Sequence, residues 1–457
     1  MAQLDMTRGP VPQNLARYAG PLILGNLFQL SYNLVDSVIA GRFIGQDALA
    51  AAGTASPIMN ILILGISGLS LGAGVLMSEF FGAGEREKLK RELSTVLLFG
   101  LFFSLALVCL GVAVTRPLLV ALQVPVEILP MTCAYVRVIF LGVPFTYFYN
   151  TLAAALKSVG DAKTPLKFLV FSACLNAALD LIFIAGLGFG LVCSAVTTVV
   201  AEGASALLSA LYIYGKVPGL ALGRGELGLD KTLLKITLRY GSATALQQSC
   251  QPIGKLLVQR CVNGLGVEAM AAFNAVTRID DFAFTPQQSI AQAITTFVAQ
   301  HRGRGVRTRE ERRRVYTGFR WGLALELGYF VCICLVAELL KEPIMRLFLE
   351  KDSSPLTIQM GCQYLTAMGV LYILPAMTNG VQGFFRGCGR MKLTLLCTFI
   401  QVFFRVSVTY ALAPEIGISG VAVACCIGWV FMLEFEGLCY LKNKRQWERG
   451  ERPFGAG

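Results

Sequence analysis

Long apolar blocks, broken by short clusters of charge, fill this chain from end to end. About 12 blocks reach the roughly 20 residues that an α-helix needs to cross a hydrocarbon core. They fall at 18–41, 48–80, 93–114, 129–156, 164–185, 188–214, 234–262, 267–299, 316–339, 354–385, 392–413 and 418–441. The pattern predicts an all-α membrane protein with many spans. Hydrophobic residues make up 55% of the chain and the connections between blocks are short, which leaves no room for a soluble catalytic domain.

The formal net charge of +12 raises the question of nucleic acid, and its placement answers it. Arg86, Lys88, Lys90 and Arg91 form one cluster, and Arg302, Arg304, Arg307, Arg309, Arg312, Arg313 and Arg314 another. With Lys442, Lys444, Arg445, Arg449 and Arg452 they fall on alternate connections, hence on one side of a membrane. That is the positive-inside bias of a plasma-membrane protein with both termini cytoplasmic; the clusters set topology and attract anionic headgroups rather than nucleic acid. Residues 1–16 are polar, and the apolar segment after them is long enough to span, so no cleavable signal peptide is expected.

The 14 cysteines lie mostly inside apolar blocks. Cys332, Cys334, Cys425 and Cys426 lack zinc-site spacing, so these are read as small packing residues. The single histidine, His301, reads as an interfacial polar residue at a helix end. No nucleophile–base pair stands out, so neither an enzyme nor a cofactor is expected.

The chain also repeats itself at a shift of about 221 residues. Gly45-Gln46-Asp47-Ala48-Leu49-Ala50-Ala51 falls on Gly266-Val267-Glu268-Ala269-Met270-Ala271-Ala272, and Glu79, Gly82 and Gly84 on Gln300, Gly303 and Gly305. Two six-helix lobes are expected, 1–214 and 232–457, joined by a polar cytoplasmic linker at 215–231. Six spans per half is an even number, so the lobes are expected to be related by a pseudo-two-fold axis along the membrane normal, with a cleft between them near the midplane. A duplicated bundle of this kind points to a transporter.

The halves differ in their intramembrane charges. Asp36 meets Leu257 at the repeat shift, and Asn176 with Asp180, four apart on one helix face, have no acidic counterpart near Arg405 to Thr409. A charge inside a span is costly and marks a pathway or a site by default. Gln29, Asn33 and Asp36 share a stripe of the first span with Tyr32 close by, and Asn150 and Thr198 add oxygen-bearing groups to the same lobe. Converging oxygens from Asp36, Asn176, Asp180 and Thr198 would hold a small hard cation such as Na+, or a carboxyl among them would take a proton. Pro21 can kink the helix that carries Asp36 and act as a hinge. The second lobe carries Lys255, Arg278 and Arg405 instead, with Asp280 and Asp281 as the expected partners of Arg278 and no acid near Lys255 in its own span. Glu202, Glu326, Glu434 and Glu436 rank lower, because they lack clustered polar company in the sequence.

At these residues the chain resembles the multidrug and toxic compound extrusion (MATE) family, most closely its DinF-like prokaryotic branch. The likeness covers nearly the whole length. It rests on Pro21 through Gly45, Glu79-Phe80-Phe81-Gly82-Ala83-Gly84, Asn176 to Asp180 and Gly188 to Thr198. In the second half it rests on Gln247-Gln248 through Gly266 and Ala271-Ala272-Phe273 through Thr296. The resemblance implies twelve helices in two lobes, and export of organic, often cationic, compounds against inward-moving protons or sodium ions. It implies coupling at Asp36, Asn176, Asp180 and Thr198, with Gln29, Tyr32 and Asn150 lining the same cavity. Lys255 stands where the family pattern suggests a neutral polar group, and the seventh span lacks the acid found in another branch. The expected partners are small organic substrates and the lipid bilayer, with a monomer as the working unit. The alternative is a flippase for a lipid-linked glycan, which needs a basic cavity of the kind Lys255, Arg278 and Arg405 would line.

Overall fold

At about 1.5 Å of rise per residue, a helix of 30 residues outruns the hydrocarbon core of a bilayer, and most helices in this chain are that long. The computed structural model describes residues 4–43, 46–223, 225–306, 308–349 and 353–448, with side chains described at all of these except 33–49, 447 and 448. Among the described residues every regular element is helical.

The first six spans are α1 (Val11–Phe43), α2 (Gln46–Ala83), α3 (Arg86–Ala121), α4 (Leu129–Ser158), α5 (Lys163–Asp180) and α6 (Leu191–Lys216). After the linker come α7 (Lys231–Asn263), α8 (Val267–Arg304), α9 (Arg309–Leu339), α10 (Lys341–Phe348), α11 (Pro355–Leu371), α12 (Ile373–Gly387), α13 (Met391–Ile416) and α14 (Ile418–Glu448). Among the described residues, 8 helices are each long and apolar enough to cross a membrane. The pair α11 and α12, bent by 41° at its break, makes a ninth span. Helices α1, α7 and α8 complete the twelve expected from the sequence, the last two carrying Lys255, Arg278, Asp280 and Asp281 well inside their lengths.

Two local features depart from the expected pattern. The tenth block, read as one span over 354–385, is divided at Tyr372, three residues before Pro375, whose ring removes a backbone donor. The connection before it contains α10, which buries Met345 and exposes Leu347, with an Arg346–Glu342 ion pair of 2.8 Å on its surface. Eight residues are too few for the periodicity to announce itself.

Helix ends follow local chemistry. Thr308 caps α9: its hydroxyl accepts from the Glu311 N–H at 3.2 Å, and the Glu311 carboxylate accepts from the Thr308 N–H at 2.9 Å. Between α4 and α5, Gly160 takes φ +85°, and a Cβ there would meet the Leu4 carbonyl oxygen at 2.2 Å, so only glycine fits.

Compactness divides the chain into one unit of Met1–Asp5 with Gly20–Ala245 and another of Met6–Ala19 with Leu246–Gly457. Helices α1 and α7 therefore each belong partly to either unit. In the first unit, Met77 of α2, Leu89, Leu93 and Val96 of α3, and Val136, Val143 and Tyr147 of α4 form one apolar core. In the second, Phe273 and Val276 of α8 meet Tyr364, Leu365 and Met368 of α11 and Trp429 of α14.

The linker is fastened along α3 rather than free. Lys90 pairs with Glu226 at 2.8 Å, Ser94 Oγ accepts from the Gly228 N–H at 2.8 Å, and Thr95 Oγ1 accepts from the Asp230 N–H at 3.0 Å. The hydrogen bonds from Lys90 and from the Gly223 N–H hold the Glu226 carboxyl below the usual carboxylate range. A depressed carboxyl stabilises the folded form at neutral pH and loses that effect only as the pH falls through its folded value.

His301 proves structural. Its Nδ1 lies 2.8 Å from the Phe297 carbonyl, and its Nε2 accepts from Arg314 Nε at 3.1 Å, which assigns a neutral ring with the proton on Nδ1.

Candidate functional site

Asn176 and Asp180 are one helical turn apart, so α5 presents both on the face that packs against α6. Both are buried, with 2% and 1% exposure, although each is polar and one is an acid. Immediately after Asp180 the backbone changes to a π-helical turn, Leu181–Gly186. Such turns break the regular hydrogen-bond ladder and recur at functional sites.

Helix α6 supplies the partners. Asn176 Nδ2 donates to Thr197 Oγ1 at 3.2 Å and to Thr198 Oγ1 at 3.3 Å. The Thr197 hydroxyl is hydrogen-bonded to Asp180 Oδ1 and also lies 2.8 Å from the Ser194 carbonyl. Thr198 Oγ1 donates to the same carbonyl at 2.9 Å. The Asn176 Oδ1 atom is buried with no hydrogen-bond partner among the described residues.

The structure thus joins three of the expected coupling residues, Asn176, Asp180 and Thr198, and adds Thr197. Sequence spacing passed over Thr197 because adjacent helix positions face about 100° apart. Asn176 sits between the two hydroxyls and reaches both. The doublet Thr197-Thr198 opposite an Asn–Asp pair was the available signal. Asn33 and Asp36 lie outside the residues whose side chains are described.

Asn150 of α4 donates to the Thr146 carbonyl at 2.8 Å. The Thr146 hydroxyl in turn is hydrogen-bonded to Glu202 of α6, which lies one turn beyond Thr198. Glu202, ranked low from the sequence, therefore has polar company contributed by a helix far away in the chain. Of the expected cavity residues on α1, Gln29 is exposed and Tyr32 half-buried. Pro21 lies inside α1, two residues beyond the point where that helix passes from one compact unit to the other.

Lys255, in the second unit, has the acid that its own span lacks. Its Nζ lies 3.2 Å from Asp281 Oδ1. Asp280 accepts from the Tyr372 hydroxyl at 2.6 Å. The expected pairing of Arg278 with one of these aspartates is therefore not what forms: Arg278 is exposed and makes no ion pair among the described residues. Arg405 keeps its Nε and one terminal nitrogen buried without hydrogen bonds among the described residues, within electrostatic reach of Asp280. Among the described residues no three His, Cys, Asp or Glu side chains gather as a transition-metal site would require.

A family model described as MatE matches residues 21–182 and 243–411, one stretch in each half. The probable multidrug resistance protein YpnP of Bacillus subtilis is 26% identical over 94% of this chain and 95% of its own. The probable multidrug resistance protein NorM of Thermotoga maritima is 24% identical over 96% of this chain and 94% of its own. The solved outward-facing structure of a MATE multidrug resistance transporter of the MOP superfamily shares the fold, with a TM-score of 0.89, 21% identity, and cover of 96% of this chain and 97% of that one. The chain belongs to the MatE family of multidrug and toxic compound extrusion proteins, and is a membrane transporter rather than an enzyme.

Proposed function

We propose that the protein is a secondary antiporter, which exports organic, often cationic, compounds in exchange for protons or sodium ions by alternating access. Coupling is assigned to Asp36, Asn176, Asp180 and Thr198 of the first lobe, with Gln29, Tyr32, Asn33, Asn150 and Lys255 lining the substrate path and Pro21 as a hinge. The lobes are 1–214 and 232–457, joined by 215–231. The protein works as a monomer in the plasma membrane with both termini cytoplasmic.

The observation that carries this reading is the Thr197 hydroxyl. It has one proton and two lone pairs, yet it stands against Asp180, the Ser194 carbonyl and the Asn176 amide at once. With Asp180 ionised, the carboxylate and the carbonyl compete for that single proton. With Asp180 protonated, the acid donates to Thr197, Thr197 donates to Ser194, and Asn176 donates to the second lone pair. The neutral acid satisfies the proton and both lone pairs of the Thr197 hydroxyl, so the arrangement supports a proton as the coupling ion. Sodium is the second reading, supported by the free buried oxygen of Asn176.

Export follows if substrate and ion exclude one another. Such coupling is reciprocal, so the ion weakens substrate binding by the same factor as substrate weakens the ion's. The flippase alternative loses support from the Lys255–Asp281 pair, which leaves less free positive charge for a pyrophosphate.

Dye efflux from proteoliposomes, with pH and sodium gradients imposed separately, tests the reading. A pH gradient alone is expected to drive cationic dye uphill; flux indifferent to both gradients contradicts antiport. Asp36→Asn is expected to abolish efflux while inserting normally, and wild-type efflux by the inserted variant removes Asp36 from the coupling set.

A further inference from the structure

A second buried charge cluster lies in the second unit, away from every residue given a role above. Glu326 of α9 and Glu436 of α14 are each 0% exposed, and all four carboxyl oxygens lack a hydrogen-bond partner among the described residues. Helices α9 and α14 both pack on α12, which brings Arg386 within electrostatic reach of both acids. The Arg386 Nε is buried and without a hydrogen bond among the described residues.

Among the described residues, the charged group acting on both acids is Arg386. Tyr329 of α9 is the other titratable neighbour of Glu326. Around Glu436 stand Gln382 of α12, Cys397 of α13 and Cys439 of α14, close by but short of hydrogen-bond geometry; Arg390 and Lys442 lie within electrostatic reach of Cys439. Helix α8 presents Ala291, Thr295 and Val298 to this part of α12. Phe319 of α9, Phe384 of α12 and Tyr440 of α14 form an aromatic layer, with centroids 5.0 to 5.6 Å apart. It lies toward the N-terminal end of α9 and the C-terminal end of α14, and the acids lie deeper.

Two carboxylates and one guanidinium leave a net negative charge. An uncompensated charge buried this way costs several kcal/mol, and the chain keeps it only if something neutralises it. A hard metal cation needs several converging oxygens, whereas two carboxyl groups alone stand here among the described residues and a guanidinium already lies within reach of both. A proton needs one oxygen. We propose that Glu326, Arg386 and Glu436 form a proton-binding site in the second unit, in which one carboxyl balances the guanidinium and the other carries an exchangeable proton. The site goes beyond the antiport reading, since it adds a titrating centre to the half that lacks a counterpart of Asp36.

Infrared spectra of the purified full-length protein in lipid nanodiscs at neutral pH test this independently of transport. The wild type shows the C=O band of a protonated carboxylic acid from this site. Either Glu326→Gln or Glu436→Gln abolishes that contribution, because the remaining acid ionises against Arg386, and the two singles back each other up should one fail to fold. Arg386→Gln leaves both acids neutral and raises the contribution about twofold, each desolvated carboxyl now holding a proton. A spectrum that is the same in wild type and Glu326→Gln/Glu436→Gln overturns the site, and loss of the band on adding sodium at fixed pH overturns the proton as its ligand.

Discussion

Asp180→Asn is expected to leave a folded, inserted protein whose uphill efflux falls to that of protein-free vesicles. The asparagine keeps an oxygen for Thr197 and the volume of the acid, so stability should change by no more than about 1 kcal/mol. What it removes is the ability to alternate between charged and neutral forms. Without that alternation the ion and the substrate no longer bias each other, and a coupling worth about 1–3 kcal/mol in binding vanishes. Thr197→Val is the companion test. It keeps the shape but strips the hydroxyl from Asn176 and Asp180, and leaving buried polar groups unpaired costs about 1–3 kcal/mol. Melting and efflux are both expected to fall, in contrast to Asp180→Asn, where only efflux does. Dye flux and thermal melting on the same preparations separate the two patterns.

Gly100→Val is expected to have the largest effect on stability. A Cβ at Gly100 in α3 would lie 1.7 Å from Tyr147 Cε1 and 2.3 Å from Cζ. Tyr147 of α4 is 1% exposed and cannot swing away, because its hydroxyl donates to the Val96 carbonyl at 3.1 Å and its ring sits within the α2–α3–α4 core. Overpacking a core ordinarily costs about 1–3 kcal/mol, and a methyl placed inside a ring forces α3 and α4 apart, so the loss should exceed that range. The expected result is a sharply lower Tm or no monodisperse protein. Gly328→Ala is the control: nothing lies within 4 Å of its Cβ position, and helix propensity favours alanine by up to about 1 kcal/mol. Equal melting of Gly100→Val and wild type would contradict the α3–α4 packing.

Which polar residues come together was partly readable from the chain and partly not, for definite reasons. Length and hydropathy mark the spans because the bilayer imposes them on each helix separately. Asn176 and Asp180 were readable because both lie on one helix within a turn. Thr197 was not, since its contacts depend on which side of α6 meets α5. Glu326, Glu436 and Glu202 looked isolated because their partners, Arg386 and Thr146, come from helices distant in sequence. Arg386 stands close to Arg390 and Lys392 in the chain, yet its Nε is buried at the end of α12. Lys255 looked unpaired for the same reason, as Asp281 lies on the next helix. Periodicity carries information along one helix, whereas these polar partners lie across two.

The most direct test of coupling at Asp180 is the affinity of the purified protein for a cationic substrate, measured as a function of pH in wild type and in Asp180→Asn. Protonation of the acid excludes substrate, so affinity should weaken in the wild type as the pH falls and stay flat in the variant. The same pH dependence in both proteins, or none in the wild type, would contradict it.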